Sequence, residues 1–83
     1  MTLDSIGYAP PVKRSVLIAG HPTSISLEPI FWQALEAAAG NNGRPVNAVV
    51  AEIDAARLEV NSPPNLTSAI RQWLYTAAQQ RST

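Results

Sequence analysis

The hydrophobic pattern changes its period within residues 21–35, "HPTSISLEPIFWQAL". From Thr23 to Leu27, polar and apolar residues alternate, which is the period of a half-buried β-strand. From Pro29 onward the apolar residues recur at intervals of three and four, the period of a helix, at Phe31, Ala34, Leu35 and Ala38, with Trp32 flanking them. The chain is thereby restricted to folds in which a short strand directly precedes a helix. Such a strand needs a hydrogen-bonding partner, because a lone strand leaves its backbone groups unpaired.

The simplest partner for residues 23–27 is the same segment of a second copy, paired antiparallel about a two-fold axis. In that arrangement Ile25 and Leu27 face the helices of both copies, and Ser24 and Ser26 face outward. Residues 14–18, "RSVLI", are followed by "AGHP", which we interpret as a turn. The sequence leaves open whether 14–18 is an extended arm or forms a hairpin with 23–27.

Two breaks divide the remaining chain into three predicted helices. The first begins at Pro29, since proline is favoured at the first helical position, and it ends at "GNNG", residues 40–43. The second begins near Arg44-Pro45, and its apolar face holds Val46, Val49, Val50 and Ile53, in line with Arg57. The third follows "NSPPN" with Asn65 as N-cap, spans about 65–78, and has an apolar stripe of Leu66, Ala69, Ile70, Trp73 and Ala77.

Composition favours a chain that folds with a partner. Its 83 residues are 46% hydrophobic and 14% charged, and they include no cysteine that could form a disulfide. We therefore predict a homodimer, with a flexible arm at 1–12, a domain at 13–78 and a disordered tail at 79–83. The zero net charge weighs against strong nucleic-acid binding, which depends on Lys and Arg neutralising phosphates.

Three stretches, "KRSVLIAGHPTSISLEPIFWQAL", "NAVVAEIDAAR" and "NLTSAIRQWL", together resemble one bacterial branch of the ribbon-helix-helix superfamily over about residues 13–76. The resemblance implies a mostly α-helical fold with a short N-terminal β ribbon, an intertwined homodimer and an extra C-terminal helix. It also implies a transcriptional regulator, a repressor, that reads the major groove of double-stranded DNA with the ribbon of the dimer.

The same resemblance assigns residues to the DNA contact. Outward strand residues touch base edges in the superfamily, and by register these are Pro22, Ser24 and Ser26. The start of the second helix binds a backbone phosphate, which falls on Arg44, Val46 and Asn47. This sequence departs from the pattern at Pro22, where the branch often has a basic residue, and at Pro45, which lacks one backbone donor of the phosphate site.

Further residues are predicted from their positions. Lys13 and Arg14 are candidates for phosphate contact, and the alternative for both is ordinary solvated surface. His21 is interpreted as a solvated turn residue, with a phosphate contact as the alternative. The expected dimer core consists of Ile25, Leu27, Phe31, Trp32, Leu35, Val49, Val50 and Ile53.

The sequence also points away from several classes of protein. It shows no catalytic motif, no phosphate-binding glycine loop and no cluster of metal ligands, so we expect neither enzymatic activity nor a cofactor or metal. No apolar run reaches the roughly 18 residues of a membrane span, and the N-terminus does not resemble a signal peptide, so we expect a cytoplasmic, bacterial protein. The alternative function is a dimeric, antitoxin-like module that binds a protein partner through the C-terminal helix, with weak or no DNA binding.

Overall fold

Two strands and three helices follow one another along residues 7–82, the part of the chain that the computed structural model describes. They are β1 (Val12–Ile18), β2 (His21–Leu27), α1 (Pro29–Asn41), α2 (Val46–Arg57) and α3 (Leu66–Ser82). Residues 7–11 have no regular secondary structure, and the first half of the predicted arm lies outside the described residues. The predicted class, mostly helical with a short N-terminal ribbon and an extra C-terminal helix, is confirmed.

The partner of β2 is β1 of the same chain. The two strands pair antiparallel, with Val12 opposite Leu27 and Ile18 opposite His21. The hairpin alternative is therefore confirmed, and the argument that residues 23–27 must find their partner in a second copy is wrong for this edge of β2. The connecting loop is only Ala19-Gly20, with φ of 51° and 82°, as in the type I′ turn that suits the twist of a hairpin.

This short turn also corrects the predicted "AGHP" turn. His21 and Pro22 belong to β2 rather than to a loop. Alternation then sends the side chains of β2 to the faces predicted for them: Ile25 and Leu27 are buried against the helices, and Ser24 is exposed on the opposite side. From β1, Val16 joins the buried face.

Helix α1 begins at Pro29 as predicted, but its buried face is rotated from the predicted stripe. The buried residues are Trp32, Leu35 and Ala39, whereas Ala34 is exposed and Phe31 is half-buried. The indole explains the rotation, since Trp32 Nε1–H donates a hydrogen bond of 2.9 Å to the carbonyl oxygen of Val12 and so turns towards the hairpin. The helix passes through Gly40 and stops before Gly43, whose φ is 63°.

The other two helices begin close to their predicted positions. Helix α2 buries Val49, Val50 and Ile53, and Arg57 forms an ion pair with Asp54, with Nε 2.8 Å from Oδ1. Asn65 caps α3, because its Oδ1 accepts the backbone N–H of Ser68 at 2.8 Å. Helix α3 also buries Leu74, which the predicted stripe lacked, and it runs past the expected end near residue 78 to Ser82. Thr83 lies outside the described residues.

A single chain buries most of the residues that were expected to form a dimer core. Leu27, Leu35 and Val50 are completely inaccessible to solvent, and Ile25, Trp32, Val49 and Ile53 nearly so. Phe31 packs at the edge of this core. None of the helices described is long and apolar enough to cross a membrane.

Candidate nucleic-acid interface

The hairpin presents one face away from the helices, which we call the outer face. Its register places Lys13 opposite Ser26, Ser15 opposite Ser24 and Leu17 opposite Pro22. These side chains are exposed, except that Ser26 is half-buried. The outer face is therefore a two-stranded surface that carries hydroxyls in its middle, a cation at one end and an apolar pair beside the turn.

The charge of the hairpin differs from that of the whole chain. Between residues 12 and 27 there are two cations, Lys13 and Arg14, and no Asp or Glu, although the chain as a whole is neutral. Within residues 7–82, Lys13 has no carboxylate partner, whereas Arg14, Arg44, Arg57 and Arg71 each form an ion pair. The uncompensated positive charge of the hairpin thus lies on its outer face.

Two arginines that were predicted to contact DNA phosphates do not lie on the outer face. The Arg14 guanidinium lies on the helix side of the sheet, 4.5 Å from the ring centroid of Trp32 and 3.1 Å from Oε2 of Glu36. Arg44 lies in the loop before α2, where it binds Oε2 of Glu52 at 3.0 Å and the carbonyl oxygen of Ala48 at 3.2 Å. The structure therefore does not bring either guanidinium onto the outer face.

The start of α2 is attached to the hairpin. Asn47 Oδ1 accepts the backbone N–H of Leu17 at 3.1 Å, on the edge of β1 that faces away from β2. The backbone N–H groups of Val46 and Asn47 have no acceptor among the described residues, as is usual in a first helical turn, and Pro45 has no N–H to offer. A pair of free donors thus lies beside the strand that carries Lys13 and Leu17.

The second edge of β2 is open. In a two-residue hairpin the residues flanking the turn exchange hydrogen bonds, and from there the backbone groups alternate in direction along each strand. The backbone groups of Thr23 and Ile25 therefore point at β1, and those of Ser24 and Ser26 point away from it. Pro22 is on the side that points away, so its missing N–H removes no hydrogen bond from the hairpin. No residue in 7–82 hydrogen-bonds the backbone of Ser24 or Ser26 along this edge.

A family model described as a ribbon-helix-helix domain matches residues 11–78, which include both strands and nearly all of the helical region. The chain belongs to the ribbon-helix-helix domain family. Domains of this family are non-enzymatic and commonly serve as DNA-binding regulators or as antitoxins, and they typically bind DNA as dimers. No curated protein and no solved structure matches the chain.

In this ribbon-helix-helix domain, β2 is the strand that leads into α1, and β1 is an additional strand beside it. The outer face of the hairpin carries Pro22, Ser24 and Ser26 of β2 together, as predicted from register. His21 is exposed at the start of β2, on the opposite side. Sequence reasoning missed Ser15 and Leu17 on the outer face. The signal was present, because both alternate with Lys13, but it could be used only once residues 12–18 were known to be a strand.

One ion pair anchors α3 to the junction between β2 and α1. Arg71 donates from Nη2 and Nε to Oε1 of Glu28, at 2.9 and 3.3 Å. These hydrogen bonds, together with one from the backbone of Glu28 and the charge of Arg71, hold the pKa of Glu28 below its ordinary value. Helix α3 is therefore fixed to the residue that precedes α1, directly after the strand that carries the candidate interface.

Proposed function

We propose that this protein is a homodimeric DNA-binding transcriptional regulator, a repressor, whose outer face enters the major groove. The observation that supports it most is the chemistry of that face, which is mostly polar and exposed, is free of carboxylates and carries the ammonium of Lys13, which has no carboxylate partner within residues 7–82. A two-stranded ribbon has the width of the major groove. Serine hydroxyls such as those of Ser24 and Ser26 can donate to or accept from base edges there. The cytoplasm, the usual compartment of the family, would be the site of action.

The free edge of β2 is where a second copy would pair. Pro22 has no N–H, so the two β2 strands keep every inter-strand hydrogen bond only in a register that leaves Pro22 outside the paired segment. In that register Ser24 lies opposite Ser26 of the second copy, and the two Ile25 residues face each other across the two-fold axis. The dimer would then have a four-stranded sheet, in the order β1-β2-β2-β1. Its outermost strands would be about 14 Å apart, at ~4.8 Å per strand pair.

That width determines which residues would meet which part of the DNA. The major groove is about 12 Å wide, so the two β2 strands would lie over the base edges and the β1 strands near the groove walls. Pro22, Ser24 and Ser26 would thus face bases, and Lys13 would face a backbone phosphate. The free N–H groups of Val46 and Asn47 are suited to a second phosphate, towards which Arg44 could turn by leaving Glu52.

A fluorescence-anisotropy titration of labelled genomic fragments over a range of salt concentrations tests this proposal. Two Lys13 side chains per dimer should give a shallow dependence, with log K falling against log salt with a slope of about −2, which steepens to about −4 where both Arg44 side chains also turn to phosphates. The substitution Lys13→Gln should make this slope shallower by about 2. The double variant Ser24→Ala and Ser26→Ala should stay folded and dimeric but lose the part of the sequence preference that the hydroxyls contribute, since only base-facing hydroxyls are deleted.

Arg81→Gln is the matched charge control. Arg81 lies in the last turn of α3, where it lines a groove with Asn41 and Asn42, and it is not among the residues that we place against DNA, so its loss should leave the salt dependence unchanged. If no fragment binds even at low salt, DNA binding is refuted.

A second candidate function is binding of a protein partner, as antitoxins of the family do. It is favoured by an open groove of about 590 Å³ between α1 and α3, whose lining includes five alanines, and by the exposed side chain of Tyr75 on α3. Purification of the protein from its native host, with and without nuclease, separates the two functions. A stoichiometric protein that remains after nuclease treatment supports this candidate, and loss of all bound material with nuclease supports the regulator.

A further inference from the structure

The end of the outer face nearest the turn is apolar. Leu17 and Pro22 lie directly opposite each other across the hairpin, and both are exposed, with 49% of Leu17 accessible to solvent. The rest of the outer face is made of hydroxyls and an ammonium. The face that we propose for DNA therefore contains one discrete apolar pair.

The core does not account for this pair. The side chain of Leu17 points away from the helices, and its backbone N–H is bonded to Asn47 on the edge of β1. Val12, on the same strand, provides a comparison: it is 45% exposed but belongs to the opposite face, in register with Leu27. The apolar surface of Leu17 is thus available to a molecule that approaches the outer face.

We propose that Leu17 and Pro22 contact the C5-methyl groups of thymines and give the protein a preference for A·T pairs. The inference rests on the proposed DNA binding, and the occupant follows from two features of the hairpin. Its free charge is positive, which suits a polyanion, and among the bases of the major groove only thymine presents an apolar group. The C5-methyl lies towards the groove wall, where β1 would run.

The same pair should disfavour G·C base pairs. In the major groove guanine presents O6 and N7 acceptors and cytosine an amino donor. Leu17 and Pro22 side chains offer these groups no hydrogen bond, so a G·C pair beneath them would lose hydration without gaining an apolar contact. An A·T pair also loses hydration of its polar groups, but it gains the contact with the thymine methyl group, and the preference would arise from that difference.

The experiment removes only the methyl group. Binding is measured at low salt to three duplexes of equal length: alternating dA·dT, the same duplex with deoxyuridine in place of thymidine, and alternating dG·dC. The wild-type protein should bind the thymine duplex more tightly than the uracil duplex by about fourfold for each methyl contacted, the value expected for burying one methyl group. Replacing cytosine by 5-methylcytosine in the third duplex should raise its affinity.

Variants then assign the effect to the pair. Leu17→Ser should still bind but should lose most of the difference between thymine and uracil duplexes, and Val12→Ser, the matched control on the other face, should retain it. Denaturant unfolding of each variant checks that it is folded, and the wild-type comparison stands even if one variant is not.

The outcomes distinguish this inference from the proposed function. Binding to all duplexes with no difference between thymine and uracil overturns the methyl contact and leaves DNA binding in place. A difference between thymine and uracil duplexes that persists undiminished in folded Leu17→Ser also overturns the assignment. Failure to bind any of the duplexes overturns the proposed function and this inference together.

Discussion

Ala19 is the only non-glycine residue with a positive φ in the described part of the chain, at 51°. The left-handed conformation costs an L-residue with a Cβ about 1 kcal/mol, and asparagine tolerates it better because its side chain bonds locally. Ala19→Asn should therefore raise the free energy of unfolding by about 0.5–1 kcal/mol. A urea titration would show this as a higher midpoint with an unchanged slope.

Gly20→Ala is the opposite test at the same turn. Gly20 has a φ of 82° with open space around the missing Cβ, so only backbone strain changes. This variant should be less stable than the wild type. If the wild type, Ala19→Asn and Gly20→Ala were equally stable, residues 19 and 20 would not form a type I′ turn in solution.

At the scale of the elements, the ion pair between Glu28 and Arg71 makes the attachment of α3 depend on pH. The pKa of Glu28 is lower in the folded chain than in the unfolded one, so its stabilising contribution is complete above the unfolded value and is lost as the pH falls through the folded value. Glu28→Gln should reduce the loss of stability between neutral and acidic pH, as measured by urea unfolding at a series of pH values.

Glu59→Gln supplies the comparison for that experiment. Glu59 is exposed and has no ion-pair partner within the described residues, so its removal should leave the pH profile close to that of the wild type. A profile of Glu28→Gln that coincides with the wild-type curve would mean that the Arg71 contact does not persist in solution.

At the scale of the whole molecule, the open edge of β2 predicts how two copies associate. Ser24→Pro deletes an N–H on that edge while sparing the bonds between β1 and β2. Sedimentation equilibrium should show a dimer for the wild type and a folded monomer for this variant. Thr23→Pro, whose N–H points at β1, should instead destabilise the hairpin itself.

The experiment also has a clear negative result. Because the core closes within one chain, a folded wild-type monomer at micromolar concentration is structurally feasible, and its observation would refute the dimer. A dimer that persists in Ser24→Pro would place the interface on a different surface.

Local patterns predicted much of this fold. Pro29 at the start of α1, Asn65 as the cap of α3 and the inward position of Ile25 each follow from a residue and its close neighbours, since capping and alternation are local effects. The outward position of Ser24 and Ser26 follows from the same alternation, whereas their candidate role as base-facing residues is what the family resemblance implies. The rotation of the buried face of α1 could not be predicted from local patterns, because it depends on a hydrogen bond between Trp32 and Val12, which are far apart along the chain.

The sequence by itself determined that residues 23–27 are a strand with Ile25 and Leu27 on its apolar side and that three helices follow it, because hydrophobic period and side-chain direction are linked by backbone geometry. Only the tertiary structure decided that β1 is the partner of β2 and that Arg14 is held by Glu36 on the helix side. Both outcomes depend on contacts between distant segments, and these are selected by the whole packing arrangement rather than by neighbouring residues. The extent of the outer face, with Ser15 and Leu17 beside the serines of β2, followed from that same pairing.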